Sequence, residues 1–384
     1  MPLAYAYPFQ FGFVNFWLGS GLALLIFGLV LRYQRLEHSR TWRLLILLGS
    51  VAIYFAHVFG WVFFALMVAG NSLYRHFRHY GLNWPAVRGI ISEGLLLCLP
   101  LVFIAVWRSA DSGGETSAYF DVFNKWGWID SSLRDRWVQL DGQSALGCVG
   151  LIILGLVGAV RMNPRLLTIF ALLAGFYLFI PFAFHGLIYA DMRIAPLVLA
   201  IGIAALAPRA IMGKRVAAML AITALVFVCV RTAATTYSYV LTSNDQENYL
   251  LALDHIPEGS RVAALAAPDC PRGWSGSRIT SLASMAIVRR DAFVNAQFEM
   301  PGAQLVAVSR SMPREFAYGT GSLARLPHCD RPEPKLAERI VQIPYEAFDH
   351  VWLLGVGPSD RPTDPRLRLV WSNDQSSVYA IAAE

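Results

Sequence analysis

The sequence predicts an α-helical polytopic membrane domain of seven to eight helices over residues 1–240, followed by a small soluble α/β domain over residues 241–384. Of the 384 residues, 56% are hydrophobic and only 15% are charged, whereas soluble domains carry about a quarter charged residues. Lys and Arg outnumber Asp and Glu by 18 to 9 in the first part, but are outnumbered 14 to 17 in the second. The net charge of +6 therefore belongs to the membrane part, where it reflects loop topology and gives no indication of nucleic-acid binding.

The membrane part contains apolar runs long enough to cross a hydrocarbon core of about 30 Å. They lie at about 10–31, 44–74, 89–107, 145–160, 166–188, 194–207 and 216–236. No run resembles a cleavable signal, because residues 1–9 lack a basic segment and no small-residue cleavage site follows.

The run 44–74 raises the question of one span or two. Arginines crowd both of its flanks, so a single crossing would place one group outside, against the positive-inside tendency. A helical hairpin turning near Ala56–Gly60 places both groups in the cytoplasm, although each arm of about 15 residues would be only roughly 22 Å long. The hairpin leaves these basic residues in cytoplasmic loops: Arg32, Arg35, Arg40, Arg43, Arg75, Arg78, Arg88, Arg161, Arg165, Arg209, Lys214 and Arg215. The outer loops then hold Arg108, Lys125, Arg134, Arg136 and Arg193.

This topology has eight helices, with the N-terminus and the domain after residue 240 on the outer side. The predicted location is thus the bacterial inner (plasma) membrane, with an extracytoplasmic C-terminal domain. A chain that starts outside with no signal is an unusual insertion unit, which suggests that upstream helices precede Met1 in a longer protein.

Three polar residues inside the predicted spans are candidate intramembrane sites. Asn15 is expected to form an interhelical hydrogen bond, next to Gly12, Gly19 and Gly21, which permit close helix contact. His57, at the proposed turn, is expected to be a structural hydrogen-bond partner. Glu93 is expensive in a membrane, so it either faces a polar cavity or pairs with Arg88 or a neighbouring arginine.

The segment "FHGLIYADMRIAPL" groups four polar residues at the predicted outer surface: His185, Tyr189, Asp191 and Arg193. An arginine here could bind a lipid phosphate bidentately, and Asp191 could orient it or act as a base. Because Asp and Arg two residues apart do not face each other on a helix, we expect them on a loop or at a helix start. The alternative is a helix cap with a snorkelling arginine.

The outer loop 108–144 is rich in acidic residues and tryptophans. Its middle, Tyr119–Ile129, is aromatic enough to form an amphipathic interfacial helix. A solvated linker is the alternative, and the loop as a whole is a candidate for part of a substrate rim.

The last 140 residues or so read as an α/β domain. "SRVAALAA" and "HVWLLGVG" predict buried strands, "LRLVWSN" and "SSVYAIAA" a closing hairpin, and 278–290 and 335–341 helices. If this domain lies at an oxidising face, Cys270 and Cys329 could form a disulfide. The sequence has no metal-ligand spacing and no glycine-rich phosphate loop, so no metal or cofactor is predicted.

Four segments carry a resemblance: "FGFVNFWLGSGLALL", "AHVFGWVFFAL", "YADMRIAPLVLAIGIAALAPR" and "AIVRRDAFVNAQF". Together they resemble bacterial multi-span proteins similar to the GT-C class of membrane glycosyltransferases. The resemblance implies sugar transfer from a polyprenyl-phosphate donor at the outer membrane face, often with a soluble domain on that side.

Enzymes of this class carry a catalytic acid in the first outer loop near the N-terminus, and no such loop exists before residue 10. No catalytic residue can therefore be assigned, and only the Asp191–Arg193 segment matches a place where a lipid phosphate is held. Two interpretations stay open. One is a GT-C-like transferase or its C-terminal part, and the other is a non-catalytic membrane protein whose outer domain binds an envelope component or a partner.

Overall fold

The computed structural model describes residues 2–36, 39–106, 116–184, 188–207, 213–268, 270, 273–297, 308–309, 316, 319–330 and 332–382. The chain divides into two compact units, Met1–Ala233 and Ala234–Glu384. The sequence-predicted boundary at residue 240 lies seven residues after this division, within the same long helix.

Helices make up almost all of the first unit. They are α1 (Tyr7–Gln10), α2 (Val14–Arg35), α3 (Ser39–Ala56), α4 (Val58–Tyr80), α5 (Trp84–Leu97), α6 (Leu99–Val106), α7 (Val122–Asp130), α8 (Val138–Leu156), α9 (Pro164–Phe179), α10 (Ala190–Ala204) and α11 (Lys214–Leu250), which continues into the second unit. Two short strands, β1 (Arg161–Met162) and β2 (Leu206–Ala207), pair antiparallel.

In the part of the chain that the structure describes, four helices are long and apolar enough to cross a membrane, as expected of a membrane protein. They are Val14–Arg35, Val58–Tyr80, Val138–Leu156 and Lys214–His255, the last including a short 3-10 helix; Pro164–Phe179 is a shorter apolar helix. The number of spans predicted from the sequence, seven to eight, stays a prediction.

The apolar run 44–74 forms two helices that reverse direction at His57. The Trp61 indole Nε1 donates a hydrogen bond of 2.9 Å to Ser50 Oγ across the turn. In one continuous helix these residues, eleven apart, would be separated by about 16 Å. The arms are longer than the predicted 15 residues, with 18 in α3 and 23 in α4, because both helices extend into their basic flanks.

The helix directions give the first unit two distinct ends. The Arg193 end comprises the start of α2, the α3–α4 turn, α7, the end of α9 and the start of α10. The Arg165 end comprises the end of α2, the end of α4, the starts of α3, α5 and α9, and the β1–β2 pair.

Two glycines let helices α2 and α4 approach closely. A Cβ on Gly60 would lie 3.0 Å from the backbone carbon of Gly19, so a larger residue would force the helices apart. Of the three glycines that the sequence singled out, only Gly19 makes such a contact. Gly21 faces open space, and Gly12 has a φ of +104° before α2.

The second unit contains a five-stranded sheet in the order β4-β3-β5-β7-β6. Its strands are β3 (Arg261–Ala266), β4 (Phe293–Val294), β5 (His350–Leu354), β6 (Leu367–Ser372) and β7 (Ser376–Ile381). The α-helices among its described residues are the end of α11, α12 (Met285–Arg290) and α13 (Leu336–Val341). Strand β3 pairs parallel with β4 and β5, while β7 pairs antiparallel with β5 and β6.

The arrangement of the sheet follows from the apolar pattern. The uninterrupted apolar strands β3 and β5 are central and buried, and β6 is an edge strand with a partly exposed face. A disulfide joins Cys270, just after β3, to Cys329, with the Cα atoms 5.6 Å apart.

Candidate anion site at the start of helix α10

Helix α10 begins with a backbone conformation that is rare for a tyrosine. Tyr189, the N-cap residue, has φ 62° and ψ 34°, the left-handed region. Asp191 and Arg193 follow in the first helical turns, at the helix start that the sequence allowed. His185, the fourth residue of the predicted cluster, lies outside the described residues.

Tyr189 is held by aromatic rings from three segments. Its ring centre lies 5.1 Å from Phe11, 5.1 Å from Phe182 and 5.9 Å from Trp128, in edge-on arrangements. Such edge-to-face contacts are individually favourable, and together they offset the strained backbone of the N-cap. Tyr189 therefore positions the start of α10 and the side chains that follow it.

Arg193 is a buried cation at the start of α10. The residue is 7% exposed, and the guanidinium carbon lies 3.9 Å from the ring centre of Phe13 and 5.5 Å from that of Phe59. Among the described residues, neither its Nε nor its Nη1 has a hydrogen-bond partner. Aromatic faces compensate part of the charge, but they leave these two N–H donors unsatisfied. A snorkelling arginine would instead keep its charged head in water.

His57 lies next to Arg193 and caps helix α4. Its Nδ1 accepts a hydrogen bond of 3.1 Å from the Phe59 N–H, as expected of a structural partner, and its ring is 5.4 Å from that of Phe16. The His57 ring lies 5.9 Å from that of Phe59, the same ring over which the Arg193 guanidinium lies. Because Nδ1 is the acceptor, a neutral His57 carries its proton on Nε2, which makes Nε2 a donor.

Asp191 does not contact Arg193 and instead pairs with Lys125. Its Oδ2 accepts from Lys125 Nζ at 3.1 Å and, more weakly, from the Asn124 amide at 3.5 Å, while its Oδ1 accepts from the Met192 N–H at 2.8 Å. The Asp191 carboxylate is 1% exposed. The Asp191 carboxylate therefore pairs with Lys125. It does not orient Arg193, which was one of the two roles predicted for it.

Lys125 links α7 to the end of α9 and the start of α10. Its Nζ also donates to the carbonyl oxygen of Ile180 at 2.5 Å and lies 5.1 Å from the ring centre of Tyr177. The Tyr177 hydroxyl in turn donates to the Lys125 carbonyl. Sequence reasoning missed this role, although Lys125 is the only lysine before residue 214.

Helix α7 is amphipathic, as the aromatic pattern of the loop 108–144 predicted. Phe123 is 92% exposed and Trp126 is 51% exposed, while Lys125 on the other face is buried. The helix begins at Val122 rather than Tyr119, because Phe120 has a positive φ and the Asp121 carboxylate caps the first turn. The exposed face is suited to the boundary between lipid and water.

Glu93 lies at the Arg165 end and pairs with residues of α4. Its Oε1 accepts from Arg75 at 2.7 Å and from His76 Nε2 at 2.9 Å. Gly89 allows this approach, because a Cβ there would overlap the His76 ring. Arg88, which the sequence suggested as a partner, is five positions earlier on the same helix and so points to a different face.

Asn15 does not form the interhelical hydrogen bond expected of it. It is exposed in the first turn of α2, and within the described part of the chain its side chain makes no hydrogen bond.

Arg231 of α11, which lies inside an apolar run, was not predicted from the sequence to be a buried charge. It is 4% exposed and donates to Asp141 at 2.5 Å and to the Leu133 carbonyl at 2.8 Å.

The chemistry available at the Arg193 end is that of an anion site. In the residues that the structure describes, no group of three or more His, Cys, Asp or Glu could hold a metal ion. The buried guanidinium, the imidazole of His57 and the surrounding aromatic rings favour an anion attached to an apolar molecule. Comparison with known proteins gives no match to a family model, a curated protein or a solved structure.

Proposed function

We propose that the first unit binds the phosphate of a polyprenyl-phosphate-linked sugar at Arg193. The observation that carries this proposal is a buried guanidinium whose Nε and Nη1 have no partner among the described residues. A buried cation without a counter-ion costs several kcal/mol. A bound anion that accepts from both groups would therefore stabilise this end of the bundle.

A lipid-linked phosphate matches the surroundings of Arg193 better than a small soluble anion. Phosphate oxygens accept pairs of parallel N–H donors from arginine. The side chains next to the guanidinium, Phe13 and Phe59, are apolar, which suits the first isoprene units of the lipid. The amphipathic helix α7 places further apolar side chains at the same end.

The proposed site faces the outer side of a bacterial inner membrane. Basic side chains are concentrated at the Arg165 end, which supports a cytoplasmic position for that end. The described ones there are Arg32, Arg35, Arg40, Arg43, Arg75, Arg78, Arg88, Arg161, Arg165, Lys214 and Arg215, against Lys125, Arg134, Arg136, Arg193 and Arg231 at the Arg193 end. In this orientation the second unit is extracytoplasmic, where an oxidising environment would maintain the disulfide of Cys270 and Cys329.

Sugar transfer is the activity that the resemblance to GT-C glycosyltransferases implies, and we propose the chain as a protein of that kind or its C-terminal part. The catalytic carboxylate is not assigned, because Asp191 is engaged by Lys125. That engagement favours a second candidate, a non-catalytic protein that holds the lipid while its outer domain binds an envelope component or a partner.

Binding of a polyprenyl phosphate to the purified protein in lipid nanodiscs tests the proposal. Arg193→Met keeps a long unbranched apolar stem and removes the donors. Affinity should therefore fall roughly 10- to 100-fold, since a hydrogen bond to a charged group contributes about 1.5–3 kcal/mol. Arg134→Met is the matched control, because Arg134 lies at the same end and also stacks on an aromatic ring, that of Tyr7. Equal affinities for wild type and Arg193→Met would contradict the proposal.

The same two variants separate the candidate activities in cells. Loss of an envelope glycan modification in Arg193→Met, but not in Arg134→Met, is the result expected for a transferase. Retained modification together with lost lipid binding would favour the non-catalytic candidate.

A further inference from the structure

The Arg165 end carries a groove between α4 and α9 that the proposed function does not use. It has a volume of about 370 Å³ and is lined by Leu73, Tyr74, Phe77, Arg78 and Thr168. Phe77 and Arg78 are exposed at its opening. The groove thus combines apolar walls with a charged rim.

Two arginines from different helices meet at the Tyr74 side chain. The guanidinium carbons of Arg78 and Arg165 lie 5.8 and 5.7 Å from its ring centre, and one Arg78 N–H donates to the Tyr74 hydroxyl at 2.8 Å. Within the described residues, the Arg165 guanidinium makes no hydrogen bond. Tyr74 therefore positions two cations while leaving most of their N–H donors available.

Among the described residues around this groove, the carboxylate of Glu93 does not balance the positive charge. Arg35 and Arg75 also act electrostatically on Arg165. Glu93 is engaged by Arg75 and His76, so it does not neutralise Arg78 or Arg165. The groove is thus complementary to a negatively charged group.

We propose that this groove binds an anionic phospholipid. The lipid phosphate contacts Arg78 and Arg165, and an acyl chain lies along Leu73 and Phe77. Basic pockets between transmembrane helices bind acidic headgroups in this way. A free phosphate would leave the apolar walls without a partner, which is why a phospholipid is the occupant. The site lies at the opposite end from Arg193 and does not depend on the function proposed there.

Native mass spectrometry of the full-length, delipidated protein tests this inference with phosphatidylglycerol and phosphatidylcholine as probes. Arg78→Gln/Arg165→Gln should weaken phosphatidylglycerol binding at least tenfold. The control Arg40→Gln/Arg88→Gln removes two exposed arginines from the same end and should retain wild-type binding. Thr168→Phe fills the groove without changing its charge, and should also weaken binding, which keeps the test valid if the double arginine variant does not fold.

Each of the other outcomes overturns the inference. Equal weakening in the control pair would show diffuse attraction to surface charge. Equal binding of phosphatidylcholine would show that charge is not recognised. Displacement by inorganic phosphate at concentrations comparable to those of the lipid would show a free-anion site, and unchanged binding in Thr168→Phe would place the lipid elsewhere.

Discussion

Replacing Lys125 by methionine tests the contact that positions helix α7 over the candidate site. The variant keeps a long side chain and removes the ammonium group, which leaves the Asp191 carboxylate buried without its cation. The matched partner change is Asp191→Asn, which removes the negative charge and leaves Lys125 without its counter-ion. The double variant removes both charges.

The structure sets the size of the expected effect. The two charged atoms are 3.1 Å apart and the side chains are 6% and 1% exposed. At an effective dielectric constant of about 20, the attraction at this distance is about 5 kcal/mol. Removing one partner of a buried pair typically costs about 3–5 kcal/mol, whereas removing both is far less destabilising. Each single variant should therefore be destabilised by about 3–5 kcal/mol, and the double variant by clearly less than the sum.

Denaturant-induced unfolding of the four proteins in mixed micelles gives this double-mutant cycle. We expect a coupling energy of roughly 2–4 kcal/mol, whereas side chains that do not interact give a coupling energy near zero. The control cycle uses Arg290 and Asp254, which are 2.6 Å apart but 26% and 72% exposed, and should give less than about 1 kcal/mol. A Lys125–Asp191 coupling no larger than that of the control pair would refute the reasoning.

Three further predictions concern the second unit. Cys270→Ala/Cys329→Ala should destabilise it by up to about 4 kcal/mol, the chain-entropy value for a loop of about 60 residues. Backbone amides of the sheet should then lose protection from hydrogen exchange, and unchanged protection would contradict this prediction. The Arg261 side-chain hydrogen bond lowers the pKa of Asp349, so the stability from this pair should be complete above about pH 4 and be lost as the pH falls further. The stability that the Arg261–Asp349 pair contributes should stay under about 1 kcal/mol, because both groups are about a third exposed. Identical acid unfolding curves for wild type and Asp349→Asn would show that the pair contributes nothing. Burial, and to a lesser extent the neighbouring Asp364 carboxylate, raises the pKa of Tyr345 to about 12. In a pH titration of tyrosinate absorbance, the step that is present in wild type and absent in Tyr345→Phe should occur near that pH. A step near pH 10 would be inconsistent with the structure.

Local signals in the sequence predicted much of the fold. The reversal at His57 follows from arginines on both flanks of one apolar run, because charge asymmetry constrains topology. Continuous apolar runs such as "HVWLL" predict central strands, since a strand buried on both faces has no polar alternation. The helix lengths were less predictable. The apolar run marks only the hydrophobic part of a helix, whereas α3 and α4 continue into polar residues on either side of the run.

The partners of buried charges were much less predictable than the elements that carry them. Glu93 was expected to face a polar cavity or to pair with Arg88 or a neighbouring arginine; its partners are Arg75 and also His76, both on another helix. Asp191 pairs with Lys125, 66 positions earlier in the chain. Such pairs depend on which faces of two helices meet, and hydropathy gives no information about that rotation. An isolated lysine in a long arginine-rich segment is a usable signal for such a partner.

Structure determination by cryo-electron microscopy, with a polyprenyl phosphate added to the protein in nanodiscs, tests the central proposal most directly. We predict headgroup density within about 3 Å of the Arg193 Nε and Nη1 atoms, the length of a charge-assisted hydrogen bond. The lipid chain should leave this density past Phe13 and Phe59. Headgroup density bound elsewhere, with the Arg193 guanidinium still enclosed by the two phenylalanine rings, would contradict the account.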